Sequence, residues 1–337
     1  MTRNRYYQGP PSDHFDGERF SNPGLPPAGN LSLGAVLKWR LSGSAARWPR
    51  SVPVDTARPD ARVAGIRVTM VGHASLLVQA AGVNILTDPV WSPRVSPFRH
   101  IGPKRVTAPG IAFDDLPPID AVVLSHGHYD HLDIDTLRRL HARDAPLMAM
   151  PLGNDTIVRQ GVAGARCVAG DWWARIALAE GVTSTLTPAC HWSNRWPGDA
   201  RMMLWAGHWL DSPAGSVWFV GDTGYGDGRI FAQVRDRLGA PDVALIPIGA
   251  YEPRALMTAQ HVDPAEAVRI FRDVGAARAL GIHWGTFQLT DEPREAPRDD
   301  LAHALAADGI PAQRFVAAEV GHAYDLAPPP GTPPGTL

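Results

Sequence analysis

The sequence predicts one large α/β domain, and three observations carry that expectation. Apolar strand-like runs and amphipathic helix-like runs mix through a continuous body at 61–325, with no linker dividing it. Histidines and aspartates recur where the apolar strands end, the edge at which open α/β sheets place their sites. Hydrophobic residues make up 45% of the 337, ample for a sizeable core.

The elements follow in order. Residues 1–60 form an N-terminal extension rich in Pro, Gly and Arg. Within it Leu33, Val36, Leu37 and Leu41 recur at helical spacing and predict a short helix over Leu31–Leu41. Ile66–Val71, Ser75–Gln79 and Val83–Thr87 read as a meander of three strands, with Gly72 and Ala81-Gly82 at the turns. A Pro-rich loop over 90–118 carries Arg94, Arg99, His100, Lys104 and Arg105. These are candidate contacts for a substrate phosphate, or simply a solvated loop. Ile119–Leu124 reads as a buried strand and Leu132–His141 as a helix. Strands are expected at Leu147–Met150, Ala165–Val168, Val182–Thr187, Arg201–Trp205, Val217–Val220, Val243–Ile248 and Ala279–Ile282. Helices are expected at Asp155–Gln160, Ile230–Leu238, Pro264–Phe271 and Asp299–Ala306. The tail, 326–337, is Pro/Gly-rich and is expected to be disordered.

The chemistry concentrates between the Ile119–Leu124 strand and the helix after it. Ser125-His126-Gly127-His128-Tyr129-Asp130-His131 packs three histidines and an aspartate into six residues. Neutral imidazole and carboxylate suit zinc and similar first-row metals. His191, Asp222 and His283 each stand at the end of a later apolar strand, so the fold should gather them at the same edge. Seven ligands suffice for two ions. One is assigned to His126, His128 and His191, the other to Asp130, His131 and His283, with Asp222 bridging. Two such ions can hold a water between them and lower its pKa. No thiolate is in the set, so two Zn2+ ions are favoured, with iron or manganese as alternatives. His73 and Asp88 stand at strand junctions. Either could orient a ligand histidine, and His73 could equally be purely structural.

The pattern His-x-His-x-Asp-His followed by distant His, Asp and His resembles the metallo-β-lactamase superfamily. A closer resemblance is to its N-acyl-phosphatidylethanolamine-hydrolysing phospholipase D branch. Val71-Gly72-His73-Ala74, Gly102-Pro103-Lys104-Arg105, Asp171-Trp172-Trp173, Gly221-Asp222-Thr223-Gly224-Tyr225, Gln260-His261-Val262-Asp263-Pro264 and Ile282-His283-Trp284-Gly285-Thr286-Phe287 carry it. The resemblance implies an αββα sandwich, a dinuclear zinc site, a homodimer and attack on a phosphodiester of a membrane phospholipid. It also implies that Tyr129, Gln260 and His261 line the phosphate. His261 could protonate the leaving group or hydrogen-bond a phosphate oxygen. Asp130, Asp222 and His261 are therefore the candidate catalytic residues. Tyr129, Gln260, His261, Arg99 and Lys104 are the candidate substrate contacts. Three places depart from the family pattern: Gly127 replaces an asparagine, Arg99-His100 a more neutral pair, and Ser193-Asn194 differs after His191-Trp192.

Composition bounds the rest. A formal net charge of −2 and the absence of a basic stripe argue against a nucleic-acid partner. Cys167 and Cys190, far apart, suit a reducing compartment. No signal peptide or membrane-spanning run is seen, so a cytoplasmic protein is expected, with peripheral membrane contact if the substrate is lipid. Of Trp192, Trp196, Trp205, Trp209 and Trp284, most should pack in the core and some could line an acyl groove. Two rival readings remain. One is a lactonase acting on a sugar or sugar-phosphate. The other is a non-enzymatic, metal-stabilised protein that binds at a membrane surface.

Overall fold

Apolar side chains alternate along most strands, so each sheet has two faces to bury. The computed structural model describes residues 4–25, 29, 34, 38–39, 41, 43–98 and 100–326. Most of the helix expected over 31–41 lies outside them, as do Arg99 and residues 327–337. The first sheet contains β1 (Ile66–Gly72), β2 (Ser75–Ala80), β3 (Val83–Thr87), β4 (Ala121–Val123), β5 (Leu147–Pro151), β6 (Arg166–Gly170) and β14 (Ala323–Asp325). Its order is β14-β1-β2-β3-β4-β5-β6, antiparallel as far as β3 and parallel beyond. The second sheet contains β7 (Arg175–Ala179), β8 (Val182–Thr187), β9 (Gly207–Ser212), β10 (Gly215–Phe219), β11 (Val243–Pro247), β12 (Arg278–Ile282) and β13 (Phe315–Ala317). It runs in sequence order from β7 to β13, again antiparallel first, then parallel from β10.

The alternation assigns the faces. Val68, Met70, Leu76, Val78, Ile85 and Val123 meet Leu186, Leu210, Phe219, Leu245 and Leu280 between the sheets. The intervening Val71, Leu77, Leu86 and Val122 face outward, under α1 (Ile134–Asp144) and α2 (Asn154–Gly161). On the other outer face α3 (Arg229–Leu238), α5 (Pro264–Val274) and α6 (Ala296–Ala307) cover Trp218, Ala244 and Ile246. A short α4 (Arg254–Met257) lies between. The architecture is the αββα sandwich. Burial of each large aliphatic side chain contributes ~1.5–3 kcal/mol. Asp263 caps α5 in a reciprocal box with Glu266, with Pro264 in the first turn.

One strand expectation is corrected. Residues 201–205 are not a strand; they turn, with Arg201 at φ 62° and the Met202 N–H on the Asp199 carbonyl. Their burial comes from the N-terminal segment instead. Phe15 and Phe20 pack on Leu204 and Trp205, and the Asn4 amide donates to the Met202 carbonyl at 2.8 Å.

His208 on β9 ties the sheets together beneath the site. Its Nε2 donates to the Leu124 carbonyl and its Nδ1 accepts from Ser184 Oγ, each at 2.9 Å. Burial pushes its pKa down to about 4. The unfolded chain protonates this residue near ~6.5, so stability is full above that pH and falls as pH drops towards 4. His208→Gln should flatten that acid limb by about 3 kcal/mol across the window, as read from urea midpoints between pH 7 and pH 4.

Candidate metal centre

The strand ends bring the polar residues together. Ser125–His131 follow β4, His191 follows β8, Asp222 follows β10 and His283 follows β12. His73, Asp88 and His283 adopt φ of 60°, 32° and 63°. Such left-handed backbone in non-glycine residues costs energy and clusters at functional sites.

His126, His128 and His191 form one group. Hydrogen-bond accounting fixes two of their tautomers. Ser125 Oγ gives its single proton to Asp88 Oδ2 at 2.5 Å, so it must accept from His126 Nδ1 at 2.9 Å. His191 Nδ1 faces the Gln260 carbonyl at 2.9 Å and must donate. Both Nε2 atoms are therefore lone pairs. They point at His128 Nδ1 from 2.8 and 3.3 Å. Three nitrogens converge with at most one hydrogen among them, a donor set suited to a cation. Burial holds His126 and His191 well below the usual imidazole range and His128 at about 4, so all three are neutral and ready to ligate.

Asp130, His131 and His283 form the second group, joined by His73. Asp222 stands between the two. Its Oδ2 is 3.2 Å from His131 Nε2, 3.7 Å from His191 Nε2 and 4.0 Å from His126 Nε2, and its Oδ1 is 3.2 Å from His283 Nε2. No hydrogen bond satisfies the buried Asp222 Oδ1. Burial opposes charge on His131 and His283, but Asp222 and Asp130 outweigh it. They hold His131 well above its usual range and His283 at about 9. Burial likewise opposes charge on the two carboxylates, and the histidines overcome it, His131 foremost, keeping both ionised. Protons thus sit where a cation would neutralise the carboxylates, and cation binding would release them. The seven sequence-predicted ligands are these two groups, six residues, and the carboxylate between them, and their chemistry fits a metal pair.

The orienting residues lie one layer out. Asp88 Oδ2 takes the His131 Nδ1 proton at 2.6 Å and reaches His126 through Ser125. One buried carboxylate thus sets a histidine of each group. His73 Nε2 lies 2.9 Å from Asp130 Oδ2, and its carbonyl accepts from the His283 N–H at 2.8 Å. His261 Nδ1 is 3.9 Å from Asp222 Oδ2 with no hydrogen-bond partner, and burial pushes its pKa down to about 4. Gln260 acts here through its carbonyl; its side-chain amide rests on Met257 Sδ.

A groove of about 860 Å³ runs beside the metal loop. Tyr129, Arg94, Arg138 and Arg195 line it, with Phe98 and Trp196 on its rim, 57% and 49% exposed. None of the seven ligands lines it; Tyr129 does, and its chain neighbours are His128 and Asp130. Trp205, Trp209 and Trp284 are buried. Lys104 is exposed, paired through its backbone with Arg94, and is not among the lining residues. Arg195 carries no signal in the sequence, and Ser193 stands out there only as a departure from the family pattern. Ser193 Oγ accepts from the Gly127 N–H at 3.0 Å and would lie 2.9 Å from a Cβ at position 127. Two of the departures from the family pattern are thus one contact.

Residues 83–284 match the family model of the β-lactamase superfamily domain, and the chain belongs to that family; it is a metal-dependent hydrolase. Among its relatives is N-acyl-phosphatidylethanolamine-hydrolyzing phospholipase D 1 of Caenorhabditis elegans, 36% identical over 273 residues, 78% of this chain and 76% of that one. The mitochondrial N-acyl-phosphatidylethanolamine-hydrolyzing phospholipase D of Saccharomyces cerevisiae is 31% identical over 69% of this chain and 50% of its own. The isothiocyanate hydrolase from Delia radicum gut bacteria shares the fold, with a TM-score of 0.61 at 18% identity over 77% of this chain and 99% of that one. Among the described residues no helix is long and apolar enough to cross a membrane.

Proposed function

We propose that the chain is a phospholipase D-type phosphodiesterase that cleaves N-acyl-phosphatidylethanolamine or a related phospholipid to phosphatidic acid and an N-acylethanolamine. The observation that carries this reading is the 36% identity to a relative named for that reaction. The groove with exposed aromatic residues beside Tyr129 supports it, since an acyl chain needs accessible apolar surface. In this reading 61–325 is the hydrolase domain. His126, His128 and His191 would hold one Zn2+, and Asp130, His131 and His283 the other, with Asp222 helping to hold both. When bound, the pair supplies an activated water and neutralises charge growing on the phosphoryl oxygens.

The chain's own residues do the rest. Asp88 and Ser125 keep Nε2 of His131 and His126 free to ligate. His261, neutral at physiological pH, offers an N–H to a phosphate oxygen or to the departing alkoxide. Tyr129, with Arg94 and Arg138 of the groove, orients the phosphate. Water adds its oxygen to phosphorus, the bond from phosphorus to the ethanolamide oxygen breaks, and that oxygen takes up a proton. A cytoplasmic homodimer that touches the membrane peripherally would suit a bilayer substrate.

The test is zinc-loaded protein with N-acyl-phosphatidylethanolamine in mixed micelles, with both products followed by mass spectrometry. Stoichiometric release of the two is expected. No turnover between pH 6 and pH 9 with metal bound, or turnover of sugar lactones alone, overturns the lipid reading.

A further inference from the structure

Residues 4–25 fold against the turn at 189–205 and reach the metal loop through one part-buried relay. The Tyr6 hydroxyl donates to Asp199 Oδ2 at 2.6 Å, and the Thr156 hydroxyl donates to the Tyr6 carbonyl at 2.9 Å. Asp199, fully buried, accepts the backbone N–H groups of Arg195 and Trp196 on Oδ1, each at 3.0 Å. Arg195 then turns inward. Its Nη1 donates to the carbonyls of Gly127 and Leu132 at 3.0 and 2.8 Å. Its guanidinium carbon lies 3.9 Å from the centre of the Tyr129 ring, whose hydroxyl donates to the Arg195 carbonyl at 3.0 Å. The two carbonyls bracket the segment that bears His128, Asp130 and His131. Asp133, just beyond, caps α1 and accepts from the Ser92 N–H. A guanidinium partly withdrawn from water onto neutral carbonyls is costly to keep. It is warranted where a rigid flat fork must fix two points of a loop at once.

We propose that Arg195 is a positioning residue for the metal loop, and that the N-terminal segment, through Tyr6 and Asp199, is the strut that holds Arg195 in place. The inference rests on the metal-centre reading and is independent of which substrate is cut. The strut couples a segment far from the chemistry to His128 and Asp130, one from each ligand group. Loss of an outer partner of a metal ligand costs ~10–100-fold in metal affinity.

The test uses the full chain and zinc alone. Affinity is measured by competition with a chromophoric chelator, and geometry by the visible spectrum of the cobalt-loaded protein. Arg195→Lys keeps the charge and loses the fork; it should weaken zinc binding by about 10–100-fold and shift the cobalt bands. Tyr6→Phe, remote from the site and nearly isosteric, should weaken zinc binding in the same direction by a smaller factor. It should add nothing once Arg195 is lysine. Wild-type affinity and spectrum in both folded variants overturn the inference, and so do fully independent losses in the double variant. Absence of zinc binding by the wild-type chain would instead fell the metal-centre reading, and the inference with it.

Discussion

Asp222→Asn should abolish turnover, with a loss at least as large as the ~10²–10³-fold that follows removal of one electrostatic stabiliser. The side chain keeps its size and loses its charge. Its oxygens lie 3.2 Å from His131 Nε2 and from His283 Nε2, and 3.7 Å from His191 Nε2, so they are the only carboxylate atoms within 4 Å of histidines of both groups among the described residues. In the proposed site Asp222 would help to hold both ions. The variant should therefore retain fewer metal equivalents per chain, read by plasma mass spectrometry after gel filtration, while kcat falls. A stably folded variant that keeps both activity and metal would remove Asp222 from the centre.

Asp88→Asn should lower metal affinity ~10–100-fold without touching a ligand. Asp88 is fully buried, and its Oδ2 receives protons from His131 Nδ1 and Ser125 Oγ, while Oδ1 receives the Ser125 N–H at 2.7 Å. An asparagine can present an oxygen to only one of those sets. The mismatch frees His131 to adopt the wrong tautomer and loosens His126 through Ser125. Asp88→Ala goes further, leaving the His131 Nδ1–H unpaired in the interior, at a cost of about 1–3 kcal/mol. Zinc titration and urea unfolding separate the two effects: asparagine should move mainly affinity, alanine both. Unchanged zinc affinity in Asp88→Asn would show that the ligand histidines are held some other way.

These expectations show which parts of the molecule the sequence announces. In the first sheet β1 to β5 are legible because they are buried on both faces, and such apolar runs need no context to be recognised; β14 is missed because it is only three residues long with Ala323 and Asp325 exposed. β7 is missed because Arg175 and Ala177 of this edge strand face solvent. β9 is missed because His208, Asp211 and Ser212 interrupt its pattern, although His208 is fully buried between the sheets. The false strand at 201–205 has the converse cause. Leu204 and Trp205 are apolar because the N-terminal segment covers them, not because they pair. The sandwich itself follows from the family resemblance, since alternation fixes faces but not which sheets meet.

The site divides in the same way. The seven candidate ligands are legible because dense histidine and aspartate at strand ends have little else to do. Asp88 and His73 are half legible, as polar residues at strand junctions. Arg195 and Ser193 are not, because they act on backbone groups more than sixty positions away, and no local pattern encodes that. Gln260 is recognised by its side chain, yet the structure uses its carbonyl behind His191.

Hydrolysis of N-acyl-phosphatidylethanolamine in water enriched in oxygen-18 tests the account most directly. Attack on phosphorus places the heavy oxygen in the phosphate of phosphatidic acid and leaves the N-acylethanolamine unlabelled. Label in the N-acylethanolamine hydroxyl, or in a released fatty acid, would mean that water attacks carbon, and would contradict the assignment of this centre to phosphodiester cleavage.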